Sequence, residues 1–127
     1  MLLNLSNHPK STWGKKQTEI AIALYGTITD INFPAIDPEA DEKEIHKLTK
    51  EYFEDCKKLL SQSTDKNNAV HIMGEMTFCF TLIKMLQQYN IKCIASTTRR
   101  IVTKNNSLTK TSRFEFVQFR KYPKLKL

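Results

Sequence analysis

Glycine is scarce in this chain, with three in 127 residues. None falls in a GxGxxG or Walker pattern, which disfavours conventional dinucleotide or ATP binding. Cysteine is equally scarce. Cys56, Cys79 and Cys93 are odd in number and show no CxxC or other metal-ligand spacing. They read as reduced, mostly buried thiols of a cytoplasmic protein, not as a disulfide frame or a zinc site. No cluster of histidine, cysteine and acids has ligand spacing, so no metal is expected. There is no GxSxG and no defensible Cys/His pair. No uninterrupted apolar run approaches a membrane span, and "MLLNLSNHPK" is too short and too polar for a signal peptide, so neither a membrane partner nor export is expected. Internal repeats and low-complexity segments are also missing.

What the chain does have is an ordinary globular composition, 40% hydrophobic and 26% charged. Its length suits one domain with a genuine core. The net charge of +7 favours anionic partners. Part of that excess sits in "RKYPKLKL", so a single domain over 1–122 followed by a basic tail over 123–127 is expected.

The apolar pattern predicts the order β-α-β-α-β-α-β-β-β. "LLNLS" (2–6) is a short strand bounded by "NHPKS". A helix follows from about Thr12 to Tyr25, ended by Gly26 as a glycine just past a helix would end it. "TITDINF" (27–33) alternates like a strand. A helix start follows at Asp37, with Pro38 at its first position, or at Asp41, with Glu44 completing a capping box. Ile45, Leu48, Tyr52, Cys56 and Leu59 continue that helix on one face. "AVHIM" is a third strand, "EMTFCFTLIKMLQQY" a third helix and "IKCIAS" a fourth strand. "RRIVT", the turn-like "KNNS" and "KTSRFEFVQFR" read as an antiparallel pair. The expected fold class is α/β: a Rossmann-like parallel sheet of about four strands with flanking helices and a C-terminal antiparallel hairpin. Strand order stays open between 2-1-3-4 and 3-2-1-4.

In such sheets ligands bind beyond the carboxyl ends of the strands. "SNHPKSTW", "FPAIDP", "GEMT" and "STTRR" are the segments expected there. Gly74 would let the backbone approach a ligand, or simply make a tight turn. Thr77 and the free amides of the helix start suit an anion. Glu75 reads either as a first-turn acid complementing the helix dipole or as a ribose acceptor or general base. Ser96, Thr97 and Thr98 supply hydroxyls and amides. Arg99 and Arg100 supply guanidinium forks for phosphate, and alternation lets one of them, Arg99 by preference, enter the site. Asn7 and His8 end the first strand, and an imidazole there suits acid–base work, although a histidine before proline is also a common turn residue. Trp13 reads as a stacking platform or as core. His71, in mid-strand, reads as a satisfied core histidine, and His46 as solvated. Phe114 and Phe116 read as core. The third helix is apolar on two sides: Met76, Cys79, Phe80, Ile83 and Leu86 towards the sheet, and Phe78, Leu82, Met85 and Tyr89 beside them. The second stripe is expected to form a homodimer interface through helix 76–89, the alternative being coverage by the same chain.

Taken together, "NLSNHP…W…Q", "GTITDINFPAIDP", "VHIMGEMTF" and "CIASTTRR…FVQFR" resemble the small stand-alone accessory proteins found beside type III CRISPR systems, which carry a minimal Rossmann-like, CARF-like domain. The resemblance runs from Leu2 to Tyr122. It implies a cyclic oligoadenylate ligand, cyclic tetra-adenylate by preference, and no cofactor. Some members of the group open such rings as ring nucleases, ending signalling and leaving linear products with a 2′,3′-cyclic phosphate; others sequester them. Under that reading His8, Glu75 and Arg99 would be catalytic. Asn7, Trp13, Gly74, Thr77, Ser96, Thr97 and Thr98 would bind the ligand. A basic RNA- or DNA-binding module, with "RFEFVQFRKY" as its surface, is the remaining alternative.

Overall fold

Five extended segments pair into one sheet in the computed structural model, which describes residues 1–106 and 108–126. Ser107, in the expected turn, and Leu127, at the end of the basic tail, lie outside the described residues. In chain order the elements are β1 (Leu2–Ser6), a 3-10 turn (Lys10–Thr12), α1 (Lys15–Tyr25), β2 (Ile28–Asp30), α2 (Glu42–Ser61), β3 (Ala69–Met73), α3 (Met76–Gln88), β4 (Cys93–Lys104) and β5 (Lys110–Lys121). The sheet order is β2-β1-β3-β4-β5. β1 runs parallel to β2 and β3, and β3 parallel to β4, whereas β5 returns antiparallel along β4. The fold is therefore α/β, with a mostly parallel mixed sheet closed by an antiparallel hairpin. Among the described residues no helix is long and apolar enough to cross a membrane.

Strand alternation sorts the side chains between two layers. Leu3 and Leu5, Val70 and Ile72, and Cys93 point to one face, where α2 and α3 cover them with Phe53, Phe78, Leu82 and Leu86. Leu2, Ala69 and Ile94 point to the other, against Ala21 and Tyr25 of α1 and Ile28 of β2. Burial of each large apolar side chain in these layers contributes about 1.5–3 kcal/mol. The cysteines belong to this core. All three are free and buried, and burial pushes their thiols up to about 12 for Cys56 and Cys93 and about 11 for Cys79.

Several boundaries differ from expectation for local reasons. α2 starts at the second of its two signals, with the Asp41 carboxylate accepting from the Glu44 amide at 2.9 Å. α1 starts at Lys15 because the preceding residues wind into the 3-10 turn. Gly26 ends it at φ +84°, a backbone that disfavours any side chain, and a Cβ there would also collide with the Asp65 carboxylate. β2 stops at Asp30, and Phe33 beyond it turns inward to meet Phe78 edge-on, with ring centroids 5.4 Å apart.

Two corrections matter for function. "STTRR" is not a loop but the middle of β4, paired throughout with β5. It holds no glycine, proline or asparagine to turn the chain, and its threonines favour a strand. A bulge at Thr97/Thr98 absorbs the irregularity. Of the α3 stripe expected to face a second copy, Phe78 and Leu82 are covered within the chain, Met85 is half-buried and Tyr89 stays exposed. Phe78 and Leu82 are fully buried, with Tyr52 and Phe53 of α2 packed edge-on against Phe78 and Tyr89 at 5.3 and 4.9 Å. Met76 and Phe80, expected to face the sheet, stand out from it instead, 82% and 67% exposed.

Candidate functional site at the carboxyl edge of the sheet

The chain passes from β1 to β2 on one side and then crosses to β3 on the other, so the direction of winding reverses between β1 and β3. Ligands in open α/β sheets bind at such a reversal, beyond the carboxyl ends of the strands. On the α1 face, that edge changes character abruptly. Ile28, Leu2 and Ala69 form one cross-strand row, and two residues further on the next row is Asp30, Asn4 and His71. The first row is core. The second is polar, with Asn4 and His71 only 1% and 2% exposed.

Buried polar groups need partners, and these supply one another. Asn4 Nδ2 donates to Asp30 Oδ1 and to the His8 carbonyl, both at 2.9 Å. Each of those atoms can only accept, so the Asn4 amide has one orientation and its Oδ1 faces His71 Nδ1 at 2.9 Å. Nδ1 must therefore carry the imidazole proton, which leaves Nε2 as an acceptor. Nε2 lies 2.7 Å from Ser96 Oγ, so the serine hydroxyl donates to it. Gln17 Nε2 of α1 donates to the same Oγ at 3.0 Å. Burial, then the charge of His8, holds the His71 imidazole down at about 4, so it is neutral across the physiological range.

This chain forms the floor of a cleft of about 380 Å³ lined by His8, Trp13, Gln17, His71, Ser96, Thr98 and Phe114, with Thr12 and Met73 at its sides. Trp13 is anchored by donating from Nε1 to the His8 carbonyl at 3.0 Å, and its ring packs edge-on against His71 at 5.4 Å. It thus serves the core and the cleft together. Phe114 is 68% exposed at the rim, not core. The bulge is responsible for the aromatic alignment: it lets Phe114, Phe116 and Phe119 share the face that Ser96 and Thr98 occupy on β4.

Of the expected site residues, the structure gathers His8, Trp13, Ser96 and Thr98 in this cleft. The others lie elsewhere. Asn7 lines a separate polar pocket of about 330 Å³ with Ser6, Asp30 and Phe33. Thr97 points away, donating from Oγ1 to the Gln118 carbonyl at 3.1 Å. Arg99 pairs in register with Glu115 and Arg100 with Phe114, so Arg100, two residues beyond Thr98, is the arginine on the cleft face. Gly74 is covered by Phe33, whose ring occupies the space a Cβ would need. Glu75 caps its own helix, accepting from the Thr77 amide at 3.0 Å, the Phe78 amide at 2.8 Å and the Thr77 hydroxyl at 2.6 Å. The Thr77 hydroxyl, then the amides, hold the Glu75 carboxyl below its usual range. "GEMT" is thus an anion-binding helix start that already contains its anion.

Sequence reasoning missed His71 and Gln17 as parts of the site. The signal was present in the alternation of "LLNLS" and "AVHIM", which puts Asn4 and His71 on one face at the carboxyl side of apolar neighbours.

The comparison with family models returns the model described as "Uncharacterized protein MJ1673 family", matched over residues 1–120. The chain belongs to the MJ1673 family. No curated protein and no solved structure matches it. The match to the MJ1673 family covers every residue of the cleft, including the whole of β4 and the β5 face that carries Phe114. Among the described residues no group of histidine, cysteine and acids is arranged to hold a metal ion.

Proposed function

We propose that the cleft binds a cyclic oligoadenylate and opens the ring without a metal, as some of the small accessory proteins of type III CRISPR systems that this chain resembles do. The observation that carries this reading is the make-up of the cleft at the β1/β3 reversal. An aromatic rim and a hydroxyl floor offer stacking and sugar contacts, and Arg100, beyond the lining on the same strand face and donating to Ser112 Oγ at 3.1 Å, offers a guanidinium for phosphate. Ring opening joins a ribose 2′-oxygen to the adjacent phosphorus as the bond to the 5′-oxygen breaks. The 2′-hydroxyl gives up its proton, the 5′-oxygen takes one, and the product ends in a 2′,3′-cyclic phosphate. The protein's task is orientation and charge stabilisation. Arg100 and Thr98 hold the phosphate, and His8, the ionisable side chain at the open side of the cleft, handles a proton.

Sequestration without cleavage is the second reading. It is favoured by two observations: Glu75 is committed to its cap, and His71 is neutral and already bonded at both nitrogens. Incubation with cyclic tri-, tetra- and hexa-adenylate in EDTA separates the two. Linear products establish the nuclease, and intact rings eluting with the protein establish the sponge. If no ring binds or is cut, the reading falls, and steeply salt-dependent RNA or DNA binding would replace it.

A two-fold ring matches a two-fold protein. We infer that the protein works in the cytoplasm as a homodimer through the outer face of α3, where Met76 and Phe80 are exposed at the carboxyl edge of the sheet. Sedimentation of Phe80→Glu tests this: a dimer that becomes a monomer supports it, and a wild-type monomer with ligand present removes it.

A further inference from the structure

A serine hydroxyl offers one donor and two acceptor sites. In the cleft, the Ser96 hydrogen is committed to His71 Nε2, and one lone pair receives the Gln17 amide. One acceptor site remains, on a side chain that lines the cavity. This polarity is not free to reverse. If Ser96 turned its hydrogen towards the cleft, His71 Nε2 would be left buried without a partner, because the proton on Nδ1 is fixed by Asn4 and Asn4 is fixed by Asp30 and the His8 carbonyl. Leaving such a group unpaired costs more than an ordinary hydrogen bond contributes.

We propose that Ser96 is the residue that selects a ribonucleotide over a deoxyribonucleotide, by accepting a hydrogen bond from a ligand ribose 2′-hydroxyl. Asp30, Asn4 and His71 are positioning residues that keep the serine in its accepting state. The inference rests on the nucleotide reading above and gives it a chemical selectivity. A phosphate oxygen cannot occupy this point, because it too would only accept. The hydroxyl contact therefore sits on the floor at Ser96, and the phosphate lies towards Thr98 and Arg100, two and four residues further along the same strand face. Gln17 tightens the selection. By filling the other lone pair, it leaves room for one incoming donor and no bridging pair.

The test is a two-by-two comparison of affinities, measured before any product forms. Cyclic tetra-adenylate and its 2′-deoxy counterpart are titrated against wild type and Ser96→Ala. Wild type is expected to prefer the ribose ring by about tenfold. Ser96→Ala should bind the two rings alike, with its loss confined to the ribose ring, and Ser96→Thr, which keeps the hydroxyl, should retain the preference. Equal binding of both rings by wild type, or an undiminished preference in Ser96→Ala, overturns the proposal and leaves the nucleotide reading standing. Failure of both rings to bind wild type overturns both readings. A ligand-free measurement guards against a misfolded variant: 15N NMR of the wild-type imidazole should find the proton of His71 on Nδ1. A proton on Nε2 would turn Ser96 into a donor and overturn the proposal without any ligand.

Discussion

At Gly74–Thr77 and at His8–Trp13 the chain leaves the same edge of the sheet through short polar segments, and the two dispose of their polar groups in opposite ways. The first closes on itself. Phe33 covers Gly74, and the Glu75 carboxylate takes two helix amides and a threonine hydroxyl. The second closes over the buried row of Asn4 and His71, whose hydrogen bonds run on to Ser96, and there one acceptor site stays open to a cavity. A helix start with glycine, an acid and a threonine looks like a ligand site on a list of residue types. What separates a site from a cap is whether any hydrogen-bonding capacity is left over once the local partners have been counted.

The largest expected break between the two regions is in acid. The unfolded imidazole of His71 binds protons below its ordinary value of 6.5, while burial holds the folded one at about 4. Between those values the unfolded state carries more protons, so stability falls as pH drops from 6.5 towards 4 and then levels. The difference is about 3 kcal/mol. His71→Gln, which does not titrate, should flatten the stability profile in that window while leaving the profile below it intact. Urea denaturation across pH 4 to 7 measures this; a wild-type profile already flat there would mean that the polar row is open to water.

The next effect is on binding alone. Phe114 stands at the rim with most of its surface in water, so removing it should leave the melting temperature unchanged. Under the nucleotide reading, Phe114→Ala should weaken ring binding by about 1–3 kcal/mol, the usual worth of one base stacked on an aromatic side chain. An unchanged affinity would move the base to Trp13 alone. Arg99→Ala and Arg100→Ala sharpen the same point: the loss should follow Arg100, since register turns Arg99 towards Glu115 on the other face.

These expectations also show where the sequence was legible. The strands "LLNLS" and "AVHIM" and the helix of α3 follow from local periodicity, and the chemistry of His8, Trp13, Ser96 and Thr98 was visible in their types and their place at strand ends. Three things needed the fold. The continuity of β4 depends on β5 as its partner, with Ser96 opposite Phe119 and Arg100 opposite Phe114. Coverage of Phe78 and Leu82 depends on how α2 crosses α3. The role of His71 depends on Asp30 and Asn4 standing beside it in register, a fact carried by three separate strands. Alternation within one strand gives a side chain's face, and only pairing gives its neighbours.

The smallest expected effect lies on the closed side. Glu75→Ala removes a helix cap and should cost about 0.5–2 kcal/mol of stability with no change in ligand affinity. Its pH window is distinct from that of His71. The folded carboxyl is held below its ordinary value of 4.5, so its contribution is complete above that value and is lost as pH falls through the lowered one. Wild type should therefore show a second decline below about pH 4.5, which His71→Gln retains and Glu75→Ala reduces to the share of Asp65, whose carboxyl is also held low by the Thr27 hydroxyl and the N-terminal amine. Thermal melts of the two variants from pH 3 to 7 would resolve the two declines. If Glu75→Ala instead abolished ring binding while melting almost normally, the carboxylate would be reaching a ligand that displaces the cap. The closed turn would then be the second half of the site.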